Sequence, residues 1–104
     1  MKIAILLPFK DTYTKDKAGS ASIWVKDFIK KSKYKNKIFI YGYIKNLNKK
    51  NLISHKNYIN IKYNFDFYLG SKNKKYVEIF NKLIKDKKIN LVELHNRPNY
   101  IDHL

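Results

Sequence analysis

The chain has 104 residues, of which 44% are hydrophobic and 15% aromatic; this is enough apolar material for one folded domain and excludes an intrinsically disordered chain. It contains no cysteine, which excludes disulfides, thiolate metal sites and a cysteine nucleophile. Its formal net charge is +15, carried by 22 lysines and a single arginine against eight acidic residues.

The chain begins with an apolar run of strand length at residues 2–8 (KIAILLP). An uninterrupted run of this kind is typical of a strand buried on both faces, as in the centre of a parallel sheet. After a polar loop the period changes at Ser20, from which apolar residues recur at helical spacing with lysines on the other side. Ser20 or Ser22 is the predicted N-cap. The predicted core positions of this helix are Ala21, Trp24, Val25, Phe28 and Ile29.

The remaining elements alternate between strands and helices. Residues 37–43 (KIFIYGY) predict a second strand, residues 44–56 a loop or short helix, and residues 57–63 (NYINIKY) a strand near a sheet edge, because they alternate with period two. A second helix is predicted at residues 73–87, and a strand follows it at residues 89–94 (INLVEL). The core stripe of that helix is predicted at Tyr76, Val77, Phe80, Leu83 and Ile84.

This order predicts an α/β fold: a doubly wound, largely parallel sheet with flanking helices. After residues 95–99 (HNRPN) the chain starts what is predicted to be a further helix, which has about one turn before Leu104. A helix that short cannot cover a sheet face. We therefore expect residues 1–104 to be a single, truncated domain.

Ligands of open α/β sheets bind at the carboxyl ends of the strands, where the strand order switches. The loop after the first strand ends in AGSAS (residues 18–22), where Gly19 and Ser20 stand at the start of a helix. Free N–H groups and the helix dipole favour an anion such as phosphate there. An ordinary loop-to-helix cap is the simpler interpretation of the same residues, and neither a dinucleotide motif nor a P-loop motif is present.

The loop after the last strand carries a second set of polar groups. His95 can exchange a proton or a hydrogen bond near neutral pH, Asn96 has a donor and an acceptor suited to sugar hydroxyls, and Arg97 can hold a phosphate or carboxylate. The alternative is that His95 and Asn96 only cap the following helix. Of the other candidates, His55 and His103 lack a metal-ligand spacing, so no metal is predicted. Glu93, the one carboxylate of the last predicted strand, could face the sheet edge or hold an interior polar position, and we expect it to be solvated rather than catalytic.

Read together, AGSAS and ELHNRPNY (residues 93–100) resemble the N-terminal Rossmann-like domain of glycosyltransferase family 4, of GT-B architecture. That family has two such domains facing across a cleft and transfers a sugar from an activated donor with retention, without an obligatory metal or other cofactor. The resemblance implies that Gly19 and Ser20 line the cleft near the donor diphosphate or acceptor, and that His95, Asn96 and Arg97 line the acceptor side. It leaves the catalytic residues unassigned.

The resemblance also implies the partners. They are a nucleotide-sugar donor, bound mainly by a C-terminal domain that is not in this chain, and a glycan or lipid-linked acceptor, as in polysaccharide biosynthesis. Without that domain we expect the fragment alone to be inactive. The apolar start of the chain is too short for a signal sequence or a span, so we expect a cytoplasmic protein, with peripheral contact between its positive charge and the anionic inner face of the membrane.

The competing hypothesis is a non-enzymatic basic α/β module that binds nucleic acid or anionic lipid. The charge of +15 favours it. The near absence of arginine, the side chain best suited to bidentate recognition of phosphate and guanine, argues against specific nucleic-acid binding. A low-GC genome accounts for the bias toward Lys, Asn and Ile.

Overall fold

The computed structural model describes residues 2–53 and 57–94. Within them, four parallel strands form one sheet in the order β3-β2-β1-β4. The elements are β1 (Ile3–Leu6), α1 (Ser20–Lys31), β2 (Ile38–Gly42), β3 (Tyr58–Asn60), α2 (Lys72–Ile84) and β4 (Leu91–Leu94), with short 3-10 turns at Lys35–Lys37, Lys49–Asn51 and Phe65–Phe67.

The two helices cover opposite faces of the sheet. Because successive residues of a strand point to opposite faces, alternate residues pack toward α1 and toward α2. Ile3 and Ile5 of β1 pack on the α1 side with Val25. Ala4 and Leu6 pack on the other side with the buried residues of α2. All four residues of β1 are buried, as its continuous apolar run predicts. The predicted fold class, an α/β Rossmann-like sheet with flanking helices, is confirmed.

The predicted elements agree with the structure in order and type and differ at their ends. β3 is an edge strand, as its alternation predicts, and the described part of the loop before it contains a 3-10 turn and an isolated β-bridge from Leu52 to Thr14. The second helix ends at Ile84 rather than at residue 87. Between this helix end and β4 the chain turns at Lys88, which takes a left-handed backbone conformation (φ 53°).

Trp24 was predicted in the core of the first helix, and this is wrong: its side chain is 49% exposed. Successive residues of a helix are about 100° apart, so a residue next to the fully buried Val25 lies on the flank of α1. The indole stacks on Phe28, with ring centroids 5.1 Å apart. The predicted side-chain cap by Ser20 or Ser22 is also wrong, because the N-cap residue is Gly19.

The core stripe of the second helix is confirmed at its centre. Tyr76, Val77 and Phe80 are buried against the sheet, and Leu83 and Ile84 pack partly buried beside them. Across residues 2–53 and 57–94, no helix has the length and apolarity needed to cross a bilayer. The helix predicted after residue 99 lies outside the described residues.

Candidate functional site

The sheet has its topological switch between β1 and β4. From β1 the chain passes through α1 to β2 on one side, and β4 later pairs with β1 on the other side. Leu6 is in register with Leu94, and both strands run in the same direction. The carboxyl ends of β1 and β4 therefore lie at the same edge of the sheet, which is where ligands of open α/β sheets bind.

At this edge the start of α1 is occupied by a carboxylate from the preceding loop. Asp11 Oδ1 accepts hydrogen bonds from Gly19 N at 2.8 Å and from Ser22 Oγ at 2.7 Å, and its Oδ2 accepts one from Ser22 N at 3.1 Å. A negative group here satisfies N–H donors that the first turn of a helix leaves open, and it interacts favourably with the helix dipole. Asp11 therefore caps α1 in place of the serines.

Gly19 is required by this carboxylate rather than by its backbone conformation. Its φ of −82° and ψ of −177° are accessible to any residue. A Cβ added to Gly19, however, would lie 2.8 Å from Cγ, Oδ1 and Oδ2 of Asp11. The sequence predicts that Gly19 allows a ligand to approach the backbone, and in the structure the group that approaches it belongs to the chain itself.

The two predicted site residues at this helix are thus placed differently. Gly19 is partly buried behind Asp11, whereas Ser20 is exposed at the edge. An anionic ligand would have to compete with the Asp11 carboxylate for the N–H groups of the first turn. The assignment of Gly19 and Ser20 to a ligand site stays a prediction. Sequence reasoning missed Asp11, whose only signal was an acidic residue shortly before the AGSAS turn.

The loop that carries Asp11 is fixed against the segment before β3. Tyr13 O accepts a hydrogen bond from Ile53 N at 3.2 Å, and Lys15 N donates to Asn51 O at 2.7 Å. Asn51 Nδ2 also donates to Asp16 Oδ1 at 2.7 Å, a contact that lowers the pKa of Asp16. These contacts, made across more than thirty residues of sequence, position the loop without a ligand.

An aromatic cluster lies below the same edge. Phe9, which follows β1, stacks on Tyr43 at 5.5 Å between ring centroids and meets Phe65 and Tyr76 edge-on at 4.9 Å and 5.3 Å. The buried Tyr76 hydroxyl donates to Leu7 O at 2.7 Å. We call these four residues, Phe9, Tyr43, Phe65 and Tyr76, the aromatic cluster. It joins α2 to the ends of β1 and β2.

A groove of about 340 Å³ lies beside this cluster, at the ends of β2 and β3. Lys45 and Asp66 form an ion pair across it, which lowers the pKa of Asp66 and raises that of Lys45 through their hydrogen bond. Asn60 fixes one wall, because its side chain accepts from Ile44 N at 2.8 Å and donates to Ile44 O at 3.2 Å. Charged, amide and aromatic groups line the groove, and such groups suit an oxygen-rich ligand; sequence reasoning did not single it out.

The second predicted set of site residues, His95, Asn96 and Arg97, lies outside the described residues, as do His55 and His103. Leu94 is the last residue that the structure describes, and His95 is the next residue in the sequence. In residues 2–53 and 57–94, no three His, Cys, Asp or Glu side chains are grouped as metal ligands would be. Glu93, predicted to be solvated, has a buried Oε2 atom because it is in register with the buried Ile5 and faces the α1 side.

Comparison with known proteins gives no match: no protein-family model, no curated protein and no solved structure is significantly similar to this chain.

Proposed function

We propose that this chain is the acceptor-side part of a retaining glycosyltransferase that moves a sugar from a nucleotide-sugar donor to a glycan or lipid-linked acceptor. The observation that carries the proposal is the pairing of Leu6 with Leu94 in adjacent parallel strands. It means that β1 and β4 end at one edge of the sheet. Of the two segments that resemble glycosyltransferase family 4, residues 18–22 follow β1 in the sequence, and residues 93–100 begin with the last two residues of β4.

The groups at that edge suit a polyhydroxylated acceptor. Asp11 is an oriented carboxylate that is partly exposed, so it can accept a hydrogen bond from a sugar hydroxyl beyond those it receives from Gly19 and Ser22. Under the proposal, His95 and Asn96 bind acceptor hydroxyls and Arg97 binds a phosphate or carboxylate. Because Asp11 already holds the helix start, we assign Gly19 and Ser20 to the acceptor rather than to the donor diphosphate.

The donor, in this proposal, binds mainly to a second α/β domain, and the reaction takes place in the cytoplasm. The test is a transfer assay with the protein expressed from its complete gene. A set of radiolabelled nucleotide sugars is incubated with a membrane lipid and glycan extract, and label in the acceptor fraction is measured. We expect the wild type to transfer label and His95→Ala to transfer it at least about a hundredfold more slowly. A loss of this size is expected for a group acting as acid, base or hydrogen-bond partner.

His103→Ala is the matched control, since it removes the same side chain from outside the proposed site, and it is expected to keep full transfer. Absence of transfer from every donor, or equal transfer by wild type and His95→Ala, contradicts the proposal. A gene that encodes no second α/β domain contradicts it as well.

The alternative, a basic module that binds nucleic acid or anionic lipid, is favoured by the net charge of +15. Any polycation binds nucleic acid weakly, and that affinity falls steeply with salt. Titration with single- and double-stranded oligonucleotides at low and physiological salt separates the two functions. Tight binding that persists at physiological salt would favour the nucleic-acid module.

A further inference from the structure

The connection between β3 and α2 exposes two large apolar side chains that are two residues apart in the sequence. Leu69 is 101% exposed and Phe67 is 80% exposed, which makes them the two most exposed of the large hydrophobic residues that the structure describes. We call this pair the apolar tip. Single exposed apolar residues are ordinary on protein surfaces, but two such large and strongly exposed ones within three residues point to a contact with something apolar.

The apolar tip stands on a rigid base. Phe65, two residues before it, is buried in the aromatic cluster, against Phe9 at 4.9 Å and Tyr43 at 4.7 Å between ring centroids. Tyr68 N donates to Phe65 O at 3.1 Å. On the other side, Ser71 caps α2 by accepting a hydrogen bond from Lys74 N at 3.2 Å. The tip is thus held outward between two fixed points, and its exposure does not come from a loose loop.

Lysines flank the tip in the sequence on both sides. Residues 62–75 contain four lysines and one acid, Asp66, which is already paired with Lys45. Lys62, Lys72 and Lys74 are exposed. Lys75 lies over the rings of Tyr63 and Tyr68, at 5.2 Å and 5.8 Å from their centroids. Exposed cations on both sequence flanks of an apolar pair, with tyrosines between them, match the layers of an anionic membrane: charged headgroups outside, acyl chains within and aromatic residues between them.

We propose that the apolar tip and its lysines form a membrane-docking surface, on which Phe67 and Leu69 enter the acyl boundary of an anionic bilayer while Lys62, Lys72 and Lys74 bind its headgroups. The occupant is a lipid bilayer rather than a nucleic acid for a chemical reason. Bases stack on flat ring faces, and of the two tip residues only Phe67 has one. Leu69, the most exposed residue, has none, and Lys75 lies over the rings of Tyr63 and Tyr68.

Docking through this surface orients the whole sheet. The tip follows the carboxyl end of β3, and Phe65 contacts Phe9, which follows the carboxyl end of β1. The bilayer would therefore face the sheet edge at which the loop carrying Asp11 emerges. A ligand anchored in the membrane would reach that edge without leaving the bilayer. The docking itself does not depend on glycosyl transfer and can be tested without any sugar.

The first experiment uses the absence of native cysteine. Leu69→Cys and the control Ile23→Cys, whose parent side chain is 50% exposed on α1, are each labelled with a polarity-sensitive nitrobenzoxadiazole dye. Vesicles of phosphatidylglycerol should increase and blue-shift the emission at position 69, bromine-substituted acyl chains should quench it, and position 23 should not respond. No response at position 69, or the same response at both positions, overturns the proposal.

The second experiment measures binding to the same vesicles by sedimentation at physiological salt. Phe67→Ser/Leu69→Ser should weaken partitioning at least about tenfold, because two apolar side chains no longer leave water, whereas Ile23→Ser should match the wild type. Circular dichroism confirms that each variant is folded.

A charge-matched pair of variants separates a local surface from general polycation binding. Lys72→Gln/Lys74→Gln should weaken binding more than Lys35→Gln/Lys37→Gln, which removes the same charge from the connection between α1 and β2. Equal effects of the two lysine pairs overturn the proposal. So does a tip variant that loses affinity for oligouridylate and keeps its affinity for vesicles, since that result assigns the tip to nucleic acid.

Discussion

Asp11 and Ser22 are joined by two hydrogen bonds, from the Ser22 backbone nitrogen to Oδ2 at 3.1 Å and from the Ser22 hydroxyl to Oδ1 at 2.7 Å. Together with the bond from Gly19 N, they attach the loop after β1 to the first turn of α1. This carboxylate does at the helix start what a bound phosphate does in many α/β proteins. The edge of the sheet where a ligand is expected therefore has an internal anion as a fixed part of its structure.

Replacing this carboxylate should destabilise the fold. Asp11→Ala leaves N–H donors of α1 without their acceptor, and we expect the free energy of unfolding to fall by about 1–2 kcal/mol, as for other lost caps. Urea denaturation followed by circular dichroism measures it. Asp11→Asn keeps one acceptor oxygen and should lose less. Asp86→Ala, at an exposed position after α2, removes the same charge as a control, and a loss as large as that of Asp11→Ala would contradict the assigned role.

Gly19→Ala tests the close approach of Asp11 to the backbone. In the wild type the new Cβ would lie 2.8 Å from the carboxylate and displace it, so the variant should be less stable. In the Asp11→Ala background the same change should become neutral or stabilising. The backbone of Gly19 suits alanine there, and alanine restricts the unfolded chain.

The measurement for Gly19 is a double-mutant cycle in urea, with an expected interaction free energy of about 1–2 kcal/mol. Additive effects of the two substitutions would show that Asp11 does not restrict position 19. They would mean that the small size of Gly19 serves another purpose, such as the close approach of a ligand.

The fold can be predicted from the sequence where the burial of an element is visible in the pattern of its own residues. β1 is surrounded on both faces, so its residues are all apolar, and the pattern identifies it directly. Trp24 shows the limit of such patterns. Helical spacing includes it in the apolar stripe, but only the packing of α1 on the sheet determines that Val25 is central and Trp24 lies on the flank.

The candidate site was harder to predict because its contacts join distant residues. The alternating elements predict a largely parallel sheet, but the pairing of Leu6 with Leu94 needs the strand order and register that the folded chain sets. The contact of Asp11 with Ser22, eleven residues away, depends on the path of a loop that has no periodic pattern. The apolar tip, Phe67 and Leu69, looks in sequence like any other apolar pair, because exposure is a property of the folded chain.

Tyr76→Phe should weaken the attachment of α2 to the end of β1. The Tyr76 hydroxyl is buried and donates to Leu7 O at 2.7 Å, so its removal deprives a buried carbonyl of a donor. We expect a loss of about 1–2 kcal/mol in the free energy of unfolding, measured by urea denaturation. Tyr34→Phe, at a side chain 40% exposed, is the matched control and should have little effect. Equal stability of Tyr76→Phe and wild type would contradict the importance of this bond.

The stability of the protein should depend on buried tyrosines at alkaline pH. Burial raises the pKa of Tyr58, and to a smaller extent those of Tyr13 and Tyr41, above the ordinary value of 10.0. The folded state therefore keeps these hydroxyls neutral at a pH where the unfolded chain ionises them. The stability that they support is complete below pH 10.0 and is lost as the pH rises from there toward the folded-state pKa values.

Tyr58→Phe isolates one of these groups from the lysines, which lose charge in the same range and so reduce the repulsion of a chain with net charge +15. At neutral pH the variant should be less stable than the wild type, because Tyr58 donates to Asn60 Oδ1 at 3.0 Å. Above pH 10.0 the difference should shrink, since the unfolded variant has one tyrosine fewer to ionise. Urea denaturation of both proteins across this pH range measures the difference. If the difference stays constant with pH, Tyr58 ionises equally in the folded and unfolded states, and its hydroxyl is not shielded from water by the stacked ring of Tyr13.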